Sequence, residues 1–250
     1  MPTRRILREQ AGLRRGGSMA KITMLTPWRD TSPLTQFAKE EFRHLPDLAV
    51  IGTDTGLEEV TKYYHIEYHL GPLLDKAVEV EKRGDCDALI IGCFGDPGLL
   101  AVRQATSIPV LGTAEASLSV AAMLGKRIGV VIPEKQFLEV IETMIHSYQF
   151  TDRVVAVRSA EEFVPETIQS QPMESVAKMA DTCLRVIRED EADVVIFGCI
   201  GFSWMVRQVR ERILKEGLRT PVIEAGITVY NAAKLLVELG LNQDRRRLGG

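Results

Sequence analysis

From Lys21 onward, short β-branched and aliphatic runs alternate with longer stretches in which apolar residues return every three or four positions. The first pattern is that of a buried strand and the second that of an amphipathic helix. Strands are predicted at Ile22 to Thr26, Ala49 to Thr53, Ala88 to Gly92, Val110 to Gly112, Arg127 to Ile132, Val154 to Val157, Val194 to Gly198 and Val222 to Glu224. Helices are predicted near Thr35 to Arg43, Leu73 to Arg83, Pro97 to Ala105, Ala114 to Leu124, Gln136 to Tyr148, Glu174 to Glu189, Trp204 to Lys215 and Ile227 to Leu239. The aromatic-rich stretch from Asp54 to Leu70 shows no clear period and reads as a loop. Such alternation predicts an α/β protein with mainly parallel sheets.

The pattern also repeats. KITMLTP, beginning at Lys21, returns as RIGVVIP 106 residues later, and DALIIGCFG, from Asp87, returns as DVVIFGCIG at the same offset. Val102-Arg103-Gln104 is echoed by Val206-Arg207-Gln208, and Pro109-Val110 by Pro221-Val222. A period this long means two similar lobes rather than a stacked array. The expected organisation is a first lobe over 19–113 and a second over 114–225. A C-terminal helix over 226–240 is free to pack back on the first lobe. Residues 1–18, with five arginines and three glycines, and residues 241–250 read as flexible extensions. Two lobes with four-stranded sheets, related by pseudo-two-fold symmetry, bring the carboxyl ends of their strands to one cleft, where open α/β sheets bind ligands.

Cys93 and Cys199 lie at such ends, at corresponding places in the repeat. A single cysteine there is most often a small buried hydrophobe; the duplication selects a chemical role. Inverting a carbon stereocentre without a cofactor needs one group to remove a proton and another to supply one from the opposite face. A thiol suits both tasks once its pKa is brought toward neutrality by a helix N-terminus or other positive potential. Asp96-Pro97 reads as the N-cap and first position of one following helix, and Ser203 as the N-cap of the other. The remaining cysteines, Cys86 and Cys183, have no such mates and read as packing residues.

Composition removes competing classes. With 26% charged residues and a formal net charge of −3, nothing points to nucleic acid or an anionic membrane. No apolar run approaches the length of a membrane span. Four cysteines without a CxxC or CxxH pair give no support for a zinc site or disulfides. No Gly-rich phosphate loop is present. A small-molecule substrate, no metal and no cofactor, a cytoplasmic location and a homo-oligomer are the expectations.

GCFGDPG from Gly92, IPVLGTAEAS from Ile108, His65-Ile66-Glu67, Gly71-Pro72-Leu73-Leu74 and the FGCIG around Cys199 resemble the hydantoin racemase branch of the aspartate/glutamate racemase superfamily. The resemblance covers nearly the whole chain after Met19. It implies flavodoxin-like lobes, two cysteines flanking the reacting carbon, and no pyridoxal phosphate. Hydantoin racemases typically carry an Asn-Pro-Asn-Thr type segment after the first strand, where this chain reads Thr26-Pro27-Trp28-Arg29. The second cysteine is usually followed by a small residue and Gly-Met, where this chain has Ile200, Gly201, Phe202 and Trp204. The Cys-Thr-His motif of glutamate racemases is absent. These departures favour a 5-substituted hydantoin, allantoin or related cyclic imide over an α-amino acid.

The expected substrate-binding residues are Pro27, Trp28, Phe94, Gly95, Glu115, Ile200, Gly201 and Phe202. Glu224 is a further candidate, although capping accounts for both glutamates equally well. The Tyr63-Tyr64-His65 cluster and His69 read as loop residues rather than metal ligands. Alternatives on the same scaffold are an amino-acid racemase, a maleate-isomerase-like or a decarboxylase-like enzyme. A non-enzymatic alternative is a two-lobed ligand-binding module with ordinary thiols.

Overall fold

The computed structural model describes residues 20–58, 62–162, 167–168 and 170–244; the proposed N-terminal extension over 1–18 lies outside them. The first lobe holds β1 (Ile22–Arg29), α1 (Pro33–Glu41), β2 (Leu48–Thr53), α2 (Tyr63–Tyr68), α3 (Leu70–Arg83), β3 (Ala88–Ile91), α4 (Leu99–Ala105) and β4 (Val110–Gly112). Next come α5 (Thr113–Leu124), β5 (Ile128–Ile132), a 3-10 turn (Lys135–Phe137), α6 (Leu138–Ser147), β6 (Val154–Ser159) and α7 (Met173–Arg188). The chain continues through β7 (Val194–Phe197), a second 3-10 turn (Ile200–Met205), α8 (Val206–Lys215), β8 (Val222–Glu224) and α9 (Ala225–Glu238).

Two four-stranded sheets result, ordered β2-β1-β3-β4 and β6-β5-β7-β8, with every pair parallel. This is the flavodoxin-like order, whose switch point lies between the first and third strands of each sheet. The central runs ALII and VVIF are fully buried, as parallel strands covered on both faces must be. The aspartate that recurs before each run has a structural task. Asp87 accepts a hydrogen bond from the Lys21 amide at 2.8 Å, and Asp193 one from the Arg127 amide at 2.9 Å, so each ties its strand to the first strand of its sheet.

Helices α1 and α9 cover one face of the first sheet, α3 and α4 the other. In the second sheet, α5 and α6 cover one face, α7 and α8 the other. The helix that follows each fourth strand therefore crosses over. Leu118 and Ala121 of α5 pack on Val130 and Ile196, while Val229 and Ala233 of α9 pack on Met24 and Ile90. The two crossing helices also pack against one another. Neither sheet can bury both faces without a helix that adjoins the other lobe.

Several local expectations are corrected. The stretch from Asp54 to Leu70 is not all loop, for α2 spans Tyr63–Tyr68 and α3 already begins at Leu70. Helix α4 starts at Leu99 after Gly98 (φ 68°), so Asp96 and Pro97 do not cap it. Ser203 caps no helix: it lies inside the 3-10 turn, and its hydroxyl donates to Glu224 Oε1 at 2.5 Å. The terminal segment over 241–250 is not free where it is described. Gln243 hydrogen-bonds the backbone of Val110 and Asn242 donates to the Ser107 carbonyl, fastening the chain to β4. The Arg103 and Arg207 echo also misleads. Arg103 Nε donates to the Val110 carbonyl at 3.0 Å, and the residue doing the same for Val222, at 3.0 Å, is Arg210, whereas Arg207 is solvated with its side chain 85% exposed.

Because each lobe's core contains the other lobe's helix, the two should unfold together. Trp28 and Trp204, the only two tryptophans, report on one lobe each. In Trp28→Phe and in Trp204→Phe, the fluorescence and far-UV circular dichroism midpoints in urea are expected to coincide within each variant. Separated transitions would show that the lobes are independent.

Candidate active site

Gly92-Cys93 leaves the end of β3 beside β1, and Gly198-Cys199 leaves β7 beside β5, so both cysteines stand at switch points. Both turns are tightly packed at the glycine before the sulfur. A Cβ on Gly92 would come within 2.7 Å of Met24 Cγ, and one on Gly198 within 3.0 Å of both Ile132 Cγ2 and the Phe94 ring. The amides of these glycines donate to Leu25 and Val131 carbonyls at 2.7 and 2.8 Å. The chain then turns back. Asp96 N donates to the Cys93 carbonyl at 3.0 Å, and Phe202 N to the Cys199 carbonyl at 3.2 Å.

The residue after each cysteine enters the opposite lobe. Phe94 is buried among Ile132, Ile141 and Ile196 of the second lobe, while Ile200 is buried among Ala38, Ile90 and Val229 around the first sheet. Each such anchor removes a large apolar side chain from water, contributing about 1.5–3 kcal/mol, and sets its neighbouring sulfur at the lobe boundary. Cys93 and Cys199 are half-buried and line the same cavity. That cavity, counted with the part open to solvent, encloses about 860 Å³ of empty space.

Two opposing influences act on the sulfurs. The Gly95 amide is hydrogen-bonded to Cys93, and the Gly201 and Phe202 amides to Cys199, which favours thiolates. Burial wins over them. It pushes Cys93 up to about 11, helped by the nearby Asp96 carboxylate, and Cys199 up to about 12, helped by Cys93 and Glu134. The expectation of a thiol brought toward neutrality by a helix N-terminus is thus overturned. Helix α4 begins six residues after Cys93, and Cys199 leads into a 3-10 turn.

Trp28, Phe94, Gly95, Ile200 and Gly201 line the cavity. Three other residues expected there do not line it. Pro27 lies where the β1–β2 register shifts, a place that tolerates its missing amide hydrogen. Phe202 is fully buried with Met205 and Val206 in the core of the second lobe. Glu115 is held by Arg103, Nη1 to Oε1 at 3.0 Å. The acid-rich cleft edge is a pair of helix caps. Asp96, not a residue of α5 itself, accepts the Ala114 and Glu115 amides at 3.0 and 2.9 Å and the Tyr148 hydroxyl at 3.0 Å. Burial pushes its carboxyl up to about 7. Glu224 accepts the Gly226 and Ile227 amides at 2.8 and 2.6 Å, a direct N-terminal cap for α9.

Sequence reasoning missed Glu134 and the apolar wall formed by Leu34, Phe37, Ile66, Phe137, Val140, Ile141 and Ile168. Glu134 was within reach, since it follows Pro133 as Trp28 follows Pro27, one step beyond the matched heptapeptides. The wall was not, because its residues come from four separate segments. Cys86 and Cys183 are buried away from the cavity. His69 is wholly buried, with neither ring nitrogen hydrogen-bonded. Among the described residues no three His, Cys, Asp or Glu side chains converge to hold a metal ion, and no helix is long and apolar enough to cross a membrane.

A family model described as Asp/Glu/Hydantoin racemase matches residues 36–239. A hydantoin racemase of Pseudomonas sp. (strain NS671) is 28% identical over 210 residues, 84% of this chain and 82% of that protein. In fold, the chain is similar to allantoin racemase from Klebsiella pneumoniae, with 24% identity, a TM-score of 0.79 and 90% of each chain covered. Allantoin racemase from Pseudomonas fluorescens gives 23% identity and a TM-score of 0.80, covering 91% of this chain and 95% of that one.

With burial dominating the sulfurs, iodoacetamide should label Cys93 and Cys199 of the free protein slowly at neutral pH. Labelling should speed up by about tenfold per pH unit toward the values above. Peptide mass spectrometry across pH 6 to about 11 reads this, and a plateau well below pH 9 would mean that the amides outweigh burial.

Proposed function

The chain belongs to the Asp/Glu/hydantoin racemase family, and from that premise we propose that it inverts the acidic stereocentre of a 5-substituted hydantoin or related cyclic imide. The reaction uses Cys93 and Cys199 as paired acid and base and needs no cofactor. The observation carrying this reading is that two cysteines, on equivalent strand ends of two similar lobes, line one cavity.

In the forward direction the sulfur facing the C5 hydrogen acts as thiolate and takes that proton, forming an S–H bond. The C–H electron pair passes into the adjacent ring carbonyl as an enolate. The thiol across the cavity then gives its proton to the other face of C5 and is left as the thiolate. The opposite enantiomer runs the same steps with the sulfurs exchanged, so each cysteine must serve in both protonation states. The amides of Gly95, Gly201 and Phe202 hold these states at the two sulfurs. Neutral ring carbonyl compounds suit an apolar cavity, because the charge that enters is one the enzyme itself creates and keeps between two hydrogen-bonded sulfurs.

Cys93→Ser and Cys199→Ser should each abolish inversion of 5-benzyl- or 5-isobutylhydantoin in heavy water. Each should retain deuterium exchange at C5 of one enantiomer, and of opposite ones. Complete racemisation by either variant is incompatible with two-base transfer. For the unaltered protein, kcat/KM should rise by about tenfold per pH unit between about pH 7 and 9, as the monoanionic sulfur pair becomes populated; a flat profile over that range would remove the acid–base assignment.

A further inference from the structure

Each cysteine turn is tied to a buried carboxylate, and the two carboxylates come from different places in the repeat. In the first lobe it is Asp96, three residues after Cys93. Its Oδ1 accepts the Ala114 amide at 3.0 Å, and its Oδ2 accepts the Glu115 amide at 2.9 Å and the Tyr148 hydroxyl at 3.0 Å. In the second lobe it is Glu224. Its Oε1 accepts the Ser203 hydroxyl at 2.5 Å and the Gly226 amide at 2.8 Å, and its Oε2 the Ile227 amide at 2.6 Å. Ser203 belongs to the 3-10 turn that follows Cys199.

The two lobes exchange the positions that supply this group. The offset of 106 residues puts Phe202 where the first lobe has Asp96, and the shared Pro-Val puts Gly112 where the second lobe has Glu224. A Cβ on Gly112 would strike the Asp96 carboxylate, so Asp96 fills the space in which the Glu224 side chain begins. Each lobe thus holds one carboxylate at the N-terminus of the helix that crosses to the other sheet, where free amides and the helix dipole favour negative charge. A cap alone has no need of the cysteine turn, yet both carboxylates are joined to it. Asp96 closes its turn as well, for its own amide donates to the Cys93 carbonyl at 3.0 Å. Its φ of 46° is a left-handed conformation uncommon outside glycine, held here by the three hydrogen bonds that its carboxylate accepts.

We infer that these are matched positioning clasps, one for each sulfur: Asp96 with Tyr148 holds Cys93, Glu224 with Ser203 holds Cys199, and each governs proton transfer at one face of the substrate carbon. The inference rests on the racemase reading for the reaction. Each clasp joins the cysteine turn of one lobe to a helix packed on the other lobe's sheet, so each sulfur is placed against both lobes at once. The clasps differ in charge. Asp96 stands close enough to Cys93 to oppose its thiolate. The ionisable and charged groups facing Asp96 are Cys93, Tyr148 at the end of α6 and Glu115 of α5, the last held by Arg103 of α4. Glu224 joins the Cys199 turn through the neutral Ser203 hydroxyl.

Single-sulfur proteins test this. In Cys199→Ser only Cys93 is left to exchange the C5 proton of 5-benzylhydantoin in heavy water, and in Cys93→Ser only Cys199. Added to each, Asp96→Asn should slow exchange through Cys93 by about tenfold or more relative to exchange through Cys199, and Ser203→Ala should do the reverse. Tyr148→Phe, which leaves both α5 amides with their acceptor, should act in the direction of Asp96→Asn by a smaller factor. Iodoacetamide labelling read by peptide mass spectrometry needs no turnover. Asp96→Asn, by removing the opposing charge, should lower the pH of half-labelling at Cys93 more than at Cys199; Ser203→Ala, by loosening the turn, should lower it more at Cys199. Circular dichroism melting identifies a variant that fails to fold; should Asp96→Asn do so, Tyr148→Phe and Ser203→Ala decide. The inference is overturned if the variants affect both sulfurs alike, as a general loss of structure would, if they affect neither, or if the selectivity is reversed. Absence of exchange in the unaltered protein sinks the racemase reading, and labelling then decides for the clasps. Exchange without selectivity for either sulfur sinks the clasps and keeps the racemase.

Discussion

Everything at the site depends on a reciprocal exchange of apolar groups between the lobes. Phe94 is buried in the second lobe and Ile200 in the first, and behind them α5 and α9 lie on each other's sheets. Two flavodoxin-like lobes joined only by a tether would form a hinge, and paired sulfurs on a hinge would have no fixed separation. Here, moving either lobe away from the other pulls a large side chain out of a packed interior, at a cost of the order of a few kcal/mol for each anchor. The anchor adjoins the cysteine in sequence, so its burial positions the sulfur with one residue of leverage. Precision at a site comes from such locking of its supports.

The same burial that fixes the sulfurs makes them reluctant acids. Amides at Gly95, Gly201 and Phe202 pull toward thiolate, and desolvation outweighs them. For the proposed reaction this is a workable compromise. A thiol of strongly depressed pKa would be a poor base toward carbon, because proton affinity falls with pKa, whereas a high-pKa thiolate is scarce but strong. Carboxylates extend the bias, with Asp96 acting on Cys93 and Glu134 on Cys199. Neither sulfur is singled out as the permanent base, which a reaction running in both directions would forbid.

Much of this was legible in the chain. Parallel strands buried on both faces read as continuous apolar runs, and all eight were placed near their observed positions. The offset of 106 residues held wherever both lobes use the same residues for the same job: Asp87 and Asp193 tying strands, glycine before each cysteine, and the cysteines themselves. It failed where the lobes solve one problem differently. The N-terminus of α5 is capped from a distant turn by Asp96, that of α9 by its own Glu224, so neither glutamate's task followed from position. Arg103 and Arg210 are equivalent by the carbonyl each holds, not by the tripeptide that surrounds Arg103. Phe202 looked like a pocket residue because it departs from the Gly-Met that the resemblance places after the second cysteine, but the 3-10 turn rotates it into the core. An expectation based on distance along the chain cannot register that rotation, nor gather a wall from four segments.

The departures from symmetry are themselves informative about the ligand. Inversion asks for equal chemistry on the two faces of one carbon, and the repeat supplies it in sulfur, glycine and amide. The proposed hydantoin is not symmetric about that carbon, however: one neighbour is a carbonyl and the other a ring nitrogen bearing hydrogen. A cavity with identical halves would accept the ring in two orientations related by the pseudo-two-fold axis, only one of which needs to serve catalysis. An indole at the end of β1 and a carboxylate at the end of β5 make the two halves of the cavity unlike at the matching position, one residue beyond a shared proline and outside the pair that must remain alike.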